Sequence, residues 1–162
     1  MMKHINKVLL LLSLFVVVAG FEVRHPTKDT NKVPGLIKKE SPRNVKQTAE
    51  RMVKILKKKG LRVFNTINHT KGAKGAGMDL RPTTLIIFGN PKMGTKLMQC
   101  DQRMGLILPM KILVWKNKKG KVMLGYTDPM HFKKRFKLKD CGGVLNKMQG
   151  ALDKLTNAAI KK

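Results

Sequence analysis

Apolar residues recur along this chain with two different periods, and the periods delimit its elements. Gly35 to Glu40 fits a first short strand, and Ser41-Pro42 then marks a helix start, with a side chain that can cap and a proline tolerated in the first turn. Val45, Ala49, Met52, Val53 and Leu56 follow at helical spacing on one face, and Gly60 is placed to end that helix in a left-handed conformation. Leu61 to Ile67 returns to a period of two. Lys71 to Gly77 is broken by glycines and reads as a flexible loop. Thr83 to Phe88 is a β-branched, apolar run closed by Gly89-Asn90-Pro91, the pattern of a buried strand. Lys92 to Cys100 fits a short helix. Pro109 to Trp115 and Lys121 to Tyr126 read as strands joined through Asn117-Lys118-Lys119-Gly120, a hairpin signature. Pro129 to Phe136 suits a turn of helix, and Val144, Met148, Ala151, Leu155 and Ala158, with Leu145, Leu152 and Ala159 beside them, form a last amphipathic helix.

The order is therefore β-α-β-β-(α)-β-β-α. Strands connected mostly by hairpins, with two long one-faced helices, imply an α+β domain: an antiparallel curved sheet with the two main helices packed on one face. That domain occupies residues 35–162. Residues 21–34 are polar with two prolines and read as a flexible tether. Residues 1–20 read as a signal peptide: Lys3 and Lys7 precede a run of 12 residues from Val8 to Ala19, broken only by Ser13, and small residues follow at the cut. The run is shorter than the roughly 20 residues a spanning helix needs. The expectation is export to the periplasm or beyond.

Charge changes the picture more than length does. The chain carries 35 Lys+Arg against 9 Asp+Glu, a net +26, and removing residues 1–20 takes two lysines and no acid, leaving +24. Such a field attracts polyanions. Lysine outnumbers arginine 28 to 7, however, the charges are spread over nearly every element, and no array of aromatics is evident. Specific nucleic-acid readers favour arginine forks and exposed aromatics, so specific nucleic-acid binding is not expected.

Gly60-Leu61-Arg62-Val63-Phe64, Ile67-Asn68-His69, Leu80-Arg81-Pro82-Thr83-Thr84, Phe88-Gly89-Asn90-Pro91, Gly94-Thr95, Leu108-Pro109, Val114-Trp115 and Tyr126-Thr127-Asp128-Pro129 occur in an order that strongly resembles the bacterial domain of unknown function 302 family, from about Gly35 to Ile160. The resemblance implies a TATA-binding-protein-like α+β fold and domains that can associate as homodimers. It implies no activity, because function resides in a site rather than a fold. The family's usual Asp before the motif histidine is Asn68 here, and the place of a histidine that often follows an arginine near the chain's end is held by Phe136 after Arg135.

The candidate ligand-binding residues are His69, Arg81, Thr83, Asn90 and Thr95. A guanidinium, hydroxyls and an amide bracketing one buried strand could hold a small anion; alternatively Arg81 pairs with Asp79 or Asp101 and Asn90-Pro91 is only a turn. Cys100 and Cys141 are the only cysteines, and either a disulfide or two buried thiols fits their spacing. No His/Cys/carboxylate cluster has ligand spacing, so neither metal nor cofactor is predicted. Acids are few and unpaired, and Ser41 is the only serine after residue 20, which leaves an enzyme of unknown reaction as the least supported reading. The preferred expectation is an exported, non-catalytic module for a small, anionic or other ligand or a protein partner. The alternative is a basic surface docking weakly on anionic membranes or cell-wall polymers.

Overall fold

The structure, a computed structural model, describes residues 33–138 and 141–162; the expected signal peptide and nearly all of the expected tether lie outside them. Five strands form one antiparallel sheet in the order β1-β5-β4-β3-β2, with β1 Leu36–Ser41, β2 Arg62–Asn68, β3 Thr83–Gly89, β4 Met110–Lys116 and β5 Val122–Thr127. The fold class expected from the sequence is the one observed. Helix α1 (Val45–Lys58) crosses from one edge strand to the other, and α4 (Gly142–Ile160) packs beside it. Alternate residues of the three central strands, Ile86 and Phe88, Ile112 and Val114, Leu124 and Tyr126, meet Ala49, Met52 and Leu56 of α1 and Leu145, Leu152 and Leu155 of α4 in one buried core. Lys39 of β1 reaches across to α4, its Nζ 2.6 Å from Asp153 and 2.8 Å from the Thr156 hydroxyl.

Three local details differ from the sequence reading. Ser41 does not cap α1: it is the last residue of β1, paired with Val122, and its buried hydroxyl lies 2.7 Å from that of Thr48. Asn44 is the cap instead, its Oδ1 accepting the Gln47 N–H at 2.9 Å. The glycine-broken stretch is partly helical, as α2 (His69–Gly75), because Asn68 caps it by accepting the Lys71 N–H at 2.9 Å. An Asp at position 68 would make the same bond, which accounts physically for the exchange of amide for carboxylate. Along α4 the buried residues are Leu145, Leu152, Leu155, Thr156 and Ala159, while Ala151 and Ala158 are exposed. At the hairpin, Gly120 takes φ 80° and Asn117 Oδ1 accepts two backbone N–H groups, from Lys119 and Lys121.

Leu85, Ile87, Leu113 and Trp115 lie half-buried on the opposite face of the sheet. Gly125 is required there by close approach: a Cβ at that position would sit 2.9 Å from Trp115 Cζ3.

Candidate functional site

Strand β3 divides the sequence-predicted residues. A strand rises about 3.3 Å per residue, so the two ends of this seven-residue element lie roughly 20 Å apart. At its start, Arg81 donates from Nε to the Lys116 carbonyl at 3.1 Å, and the Thr83 hydroxyl donates to the Arg81 carbonyl at 2.8 Å. The Thr83 N–H donates to the Thr70 hydroxyl, also at 2.8 Å. These bonds fasten α2 and the 81–83 segment to the end of β4. Arg81 thus pairs with neither Asp79 nor Asp101. His69 is exposed at the first position of α2. Asn90 and Thr95 belong to the other end of β3. The five residues therefore do not converge on one anion, because the strand they bracket holds its two ends apart.

The far end of β3 holds the better-formed site. Asn90 caps α3 (Pro91–Cys100), accepting the Met93 N–H at 3.3 Å, and Pro91 occupies the first helical position, where its missing N–H costs nothing. Helix α3 then runs alongside α4, with a 3₁₀ turn (Gln102–Leu106) and the Leu108–Met110 entry to β4 closing one side. Together they leave a cavity of about 390 Å³. Phe88, Leu108 and Leu152 form part of its wall, Phe64 stands at an exposed side, and four thioethers, of Met93, Met98, Met110 and Met148, contribute flexible, polarisable surface. None of the lining residues is ionisable. Its side-chain polar groups are Asn90, already engaged as a cap, and the exposed Thr95. This lining suits an apolar molecule and supplies no general acid, base or carboxylate ligand.

Cys100 ends α3 and Cys141 precedes α4; the structure brings their sulfurs into bonding contact with Cα atoms 6.5 Å apart, inside the usual range for a disulfide. The pair would pin the two helices that wall the cavity.

A second concavity, about 730 Å³, lies at the opposite end, between α1 and the β2–β3 edge, with Lys46, Lys54 and Lys57 on one side and Thr66, Asn68 and Thr83 on the other. Elsewhere a few charged groups pair within the fold, Lys39 with Asp153, Arg103 with Asp101 and Lys121 with Glu40. Hydrogen bonding to Arg103 holds Asp101 well below the usual carboxylate range, and hydrogen bonding to Lys39 lowers Asp153. Burial pushes the Tyr126 phenol up. Among the described residues no group of three or more His, Cys, Asp or Glu could hold a metal ion.

The family model described as Domain of unknown function DUF302 matches residues 37–155. The chain belongs to the DUF302 family. A crystal structure of an uncharacterized conserved DUF302 protein from Bacillus stearothermophilus is similar, with a TM-score of 0.62 at 19% identity, covering 79% of this chain and 97% of that one. At that identity the likeness concerns the fold. Two curated relatives are the Fluoride-specific ion channel FluC 1 of Brucella suis biovar 1 (strain 1330) and FluC 2 of Brucella melitensis biotype 1 (strain ATCC 23456 / CCUG 17765 / NCTC 10094 / 16M), each 45% identical over 104 residues, 64% of this chain. That stretch is 41% of the first relative and 38% of the second, so this DUF302 chain spans about two-fifths of the length of the curated relatives it matches.

Sequence reasoning named Asn90 and Thr95 but missed the methionines, the α4 wall and Leu108. The available signal was weak: 11 methionines in 162 residues, several within Met93–Met110.

Proposed function

We propose that this DUF302 protein is a non-catalytic binding module whose ligand, a small apolar molecule or the apolar part of a larger one, occupies the methionine-lined cavity between α3 and α4. The observation that carries the proposal is a cavity of about 390 Å³ with no ionisable lining residue. Its size falls within the range of small-molecule sites. Thioethers adapt to irregular ligand shapes, which suits a site that selects for hydrophobicity. The leader-like residues 1–20 support a module acting outside the cytoplasm, where the Cys100–Cys141 pair would be oxidised. Fluoride conduction, the activity in the Brucella relatives' names, is not part of the proposal. The similarity takes in two-fifths of those chains, and no described helix here is long and apolar enough to cross a membrane.

Native mass spectrometry of the exported protein after a high-salt wash tests the reading, together with titration of an apolar fluorescent probe. A discrete adduct or saturable probe binding is expected, and both should be lost in Ala151→Phe, which places a ring at an exposed helical position lining the cavity. Saturable binding that persists unchanged in a folded Ala151→Phe protein, or no binding of either kind, refutes it.

A further inference from the structure

We propose that the second concavity is a binding groove for a linear phosphate polymer. The groove exists because β2 lies at the sheet edge, only partly covered by α1, which packs more heavily on β3. Lys46, Lys54 and Lys57 stand along one wall over 11 residues of helix, about 16 Å at 1.5 Å per residue. All three are exposed, and the ion pairs among the described residues, Lys39–Asp153, Arg103–Asp101 and Lys121–Glu40, engage none of them. Glu50 is the one acid in the lining, leaving an excess of two positive charges. The facing wall offers hydroxyls and an amide from Thr66, Thr84 and Asn68.

Geometry selects among polyanions. A row of cations inside a concavity admits a flexible single chain and keeps out a flat bilayer surface. No aromatic side chain lines the groove, so bases would find nothing to stack on, and stacking supplies much of single-strand affinity. Lysine ammonium groups serve as point-charge phosphate binders, while the surrounding excess of positive charge raises the local concentration of the polymer. The occupant that uses every feature is a chain of repeated phosphates without bases.

The test titrates the full chain with fluorescently labelled medium-chain polyphosphate at low and at raised salt. The triple variant Lys46→Ala/Lys54→Ala/Lys57→Ala is compared with Lys118→Ala/Lys119→Ala/Lys134→Ala, which removes equal charge from exposed sites outside the groove. Alanine is a strong helix former, so α1 should persist in the first variant, and thermal melting checks that it does. Each groove lysine should contribute about 5-fold at low salt, the order seen for a lysine near an anionic surface, giving a loss of roughly 100-fold. The log–log salt slope should fall by about 2 to 3. The control variant should lose several-fold at most. Equal losses in the two variants overturn the groove in favour of a diffuse field. An unstacked oligonucleotide or anionic vesicle that binds as tightly as polyphosphate through the same lysines overturns the polymer assignment. Neither result touches the apolar cavity at the other end of β3.

Discussion

Gly94 sits where stability and ligand binding should respond separately, one to a methyl group and the other to a longer side chain. It is the fourth residue of α3, its N–H donating to the Asn90 carbonyl at 2.9 Å, and it lines the apolar cavity. Glycine in a helix interior costs about 0.8–1.0 kcal/mol relative to alanine, chiefly through the freedom it regains on unfolding. Gly94 is not among the positive-φ glycines, and an added Cβ would meet Leu108 Cδ1 at 3.7 Å, an ordinary contact. Nothing in the folded state therefore opposes the gain. Gly94→Ala should stabilise the domain by about 0.5–1 kcal/mol, or roughly 2–4 °C in melting temperature for a domain of this size. One methyl group barely reduces the cavity, so apolar-probe affinity should stay within about threefold. Gly94→Leu carries a branched chain into the same space, where it should compete with the probe and weaken it at least tenfold. Circular-dichroism melts and urea titrations report the first effect; an unchanged m-value shows that the comparison is between like states. Probe titration reports the second. A lower melting temperature for Gly94→Ala would refute the helical packing inferred for α3, and undiminished probe binding to a folded Gly94→Leu protein would refute the site.

The Cys100–Cys141 pair closes a loop of sequence separation 41, for which the chain-entropy model gives about 4 kcal/mol. Protein purified without reductant should show no free thiols until reduced, and reduction should lower its melting temperature and loosen probe binding at the α3–α4 wall; free thiols in the unreduced, folded protein would refute the bridge. Arg81→Ala removes a bond to the Lys116 carbonyl at the end of β3 remote from the cavity, so probe affinity should remain within about twofold, whereas Asn90→Ala should cost about 1 kcal/mol in denaturant melts by removing the α3 cap. Asp101 and Asp153 have folded-state pKa values lowered by hydrogen bonds from Arg103 and Lys39. Their contribution is present above the ordinary carboxylate pKa near 4 and is lost as pH falls toward the depressed folded values. Melting temperature should therefore fall below about pH 4, less steeply in Asp101→Asn/Asp153→Asn; an equal acid slope in that variant would count against both pairs.

The elements readable from sequence are those in which a single local rule has no competitor. Helix α1 is of this kind: Val45, Ala49, Met52 and Leu56 recur on one face, and all four are buried. The hairpin is another, because Asn117 and Gly120 carry its geometry between them. Helix α2 was not readable, since Gly72 and Gly75 argue against a helix. The bonds that support it, from the Thr70 hydroxyl to the Arg81 carbonyl and from the Thr83 N–H to the Thr70 hydroxyl, join residues 11 and 13 positions apart. The cap of α1 was misplaced by three residues because Ser41 and Asn44 are both good caps; the pairing of Ser41 with Val122, far along the chain, decides between them.

The site is hidden for a different reason. Hydrophobic pattern identifies which side chains leave water, but not whether their summed volumes fill the space between elements. Met148 reads as one position on an ordinary amphipathic face and Met93, Met98 and Leu108 carry no signal of their own; only their placement around an unfilled volume of about 390 Å³ separates them from the packed cluster of Met52, Leu56 and Ile112. A search led by charge goes instead to Arg81 and His69, where polar chemistry is visible in the sequence. There the structure spends Arg81 on a backbone carbonyl and leaves His69 exposed to solvent. In a chain with lysines on nearly every element, a charged side chain carries little information about position. The rarer property is an apolar surface that the fold creates and does not bury, and it is this property that directs the search for a ligand to α3 and α4.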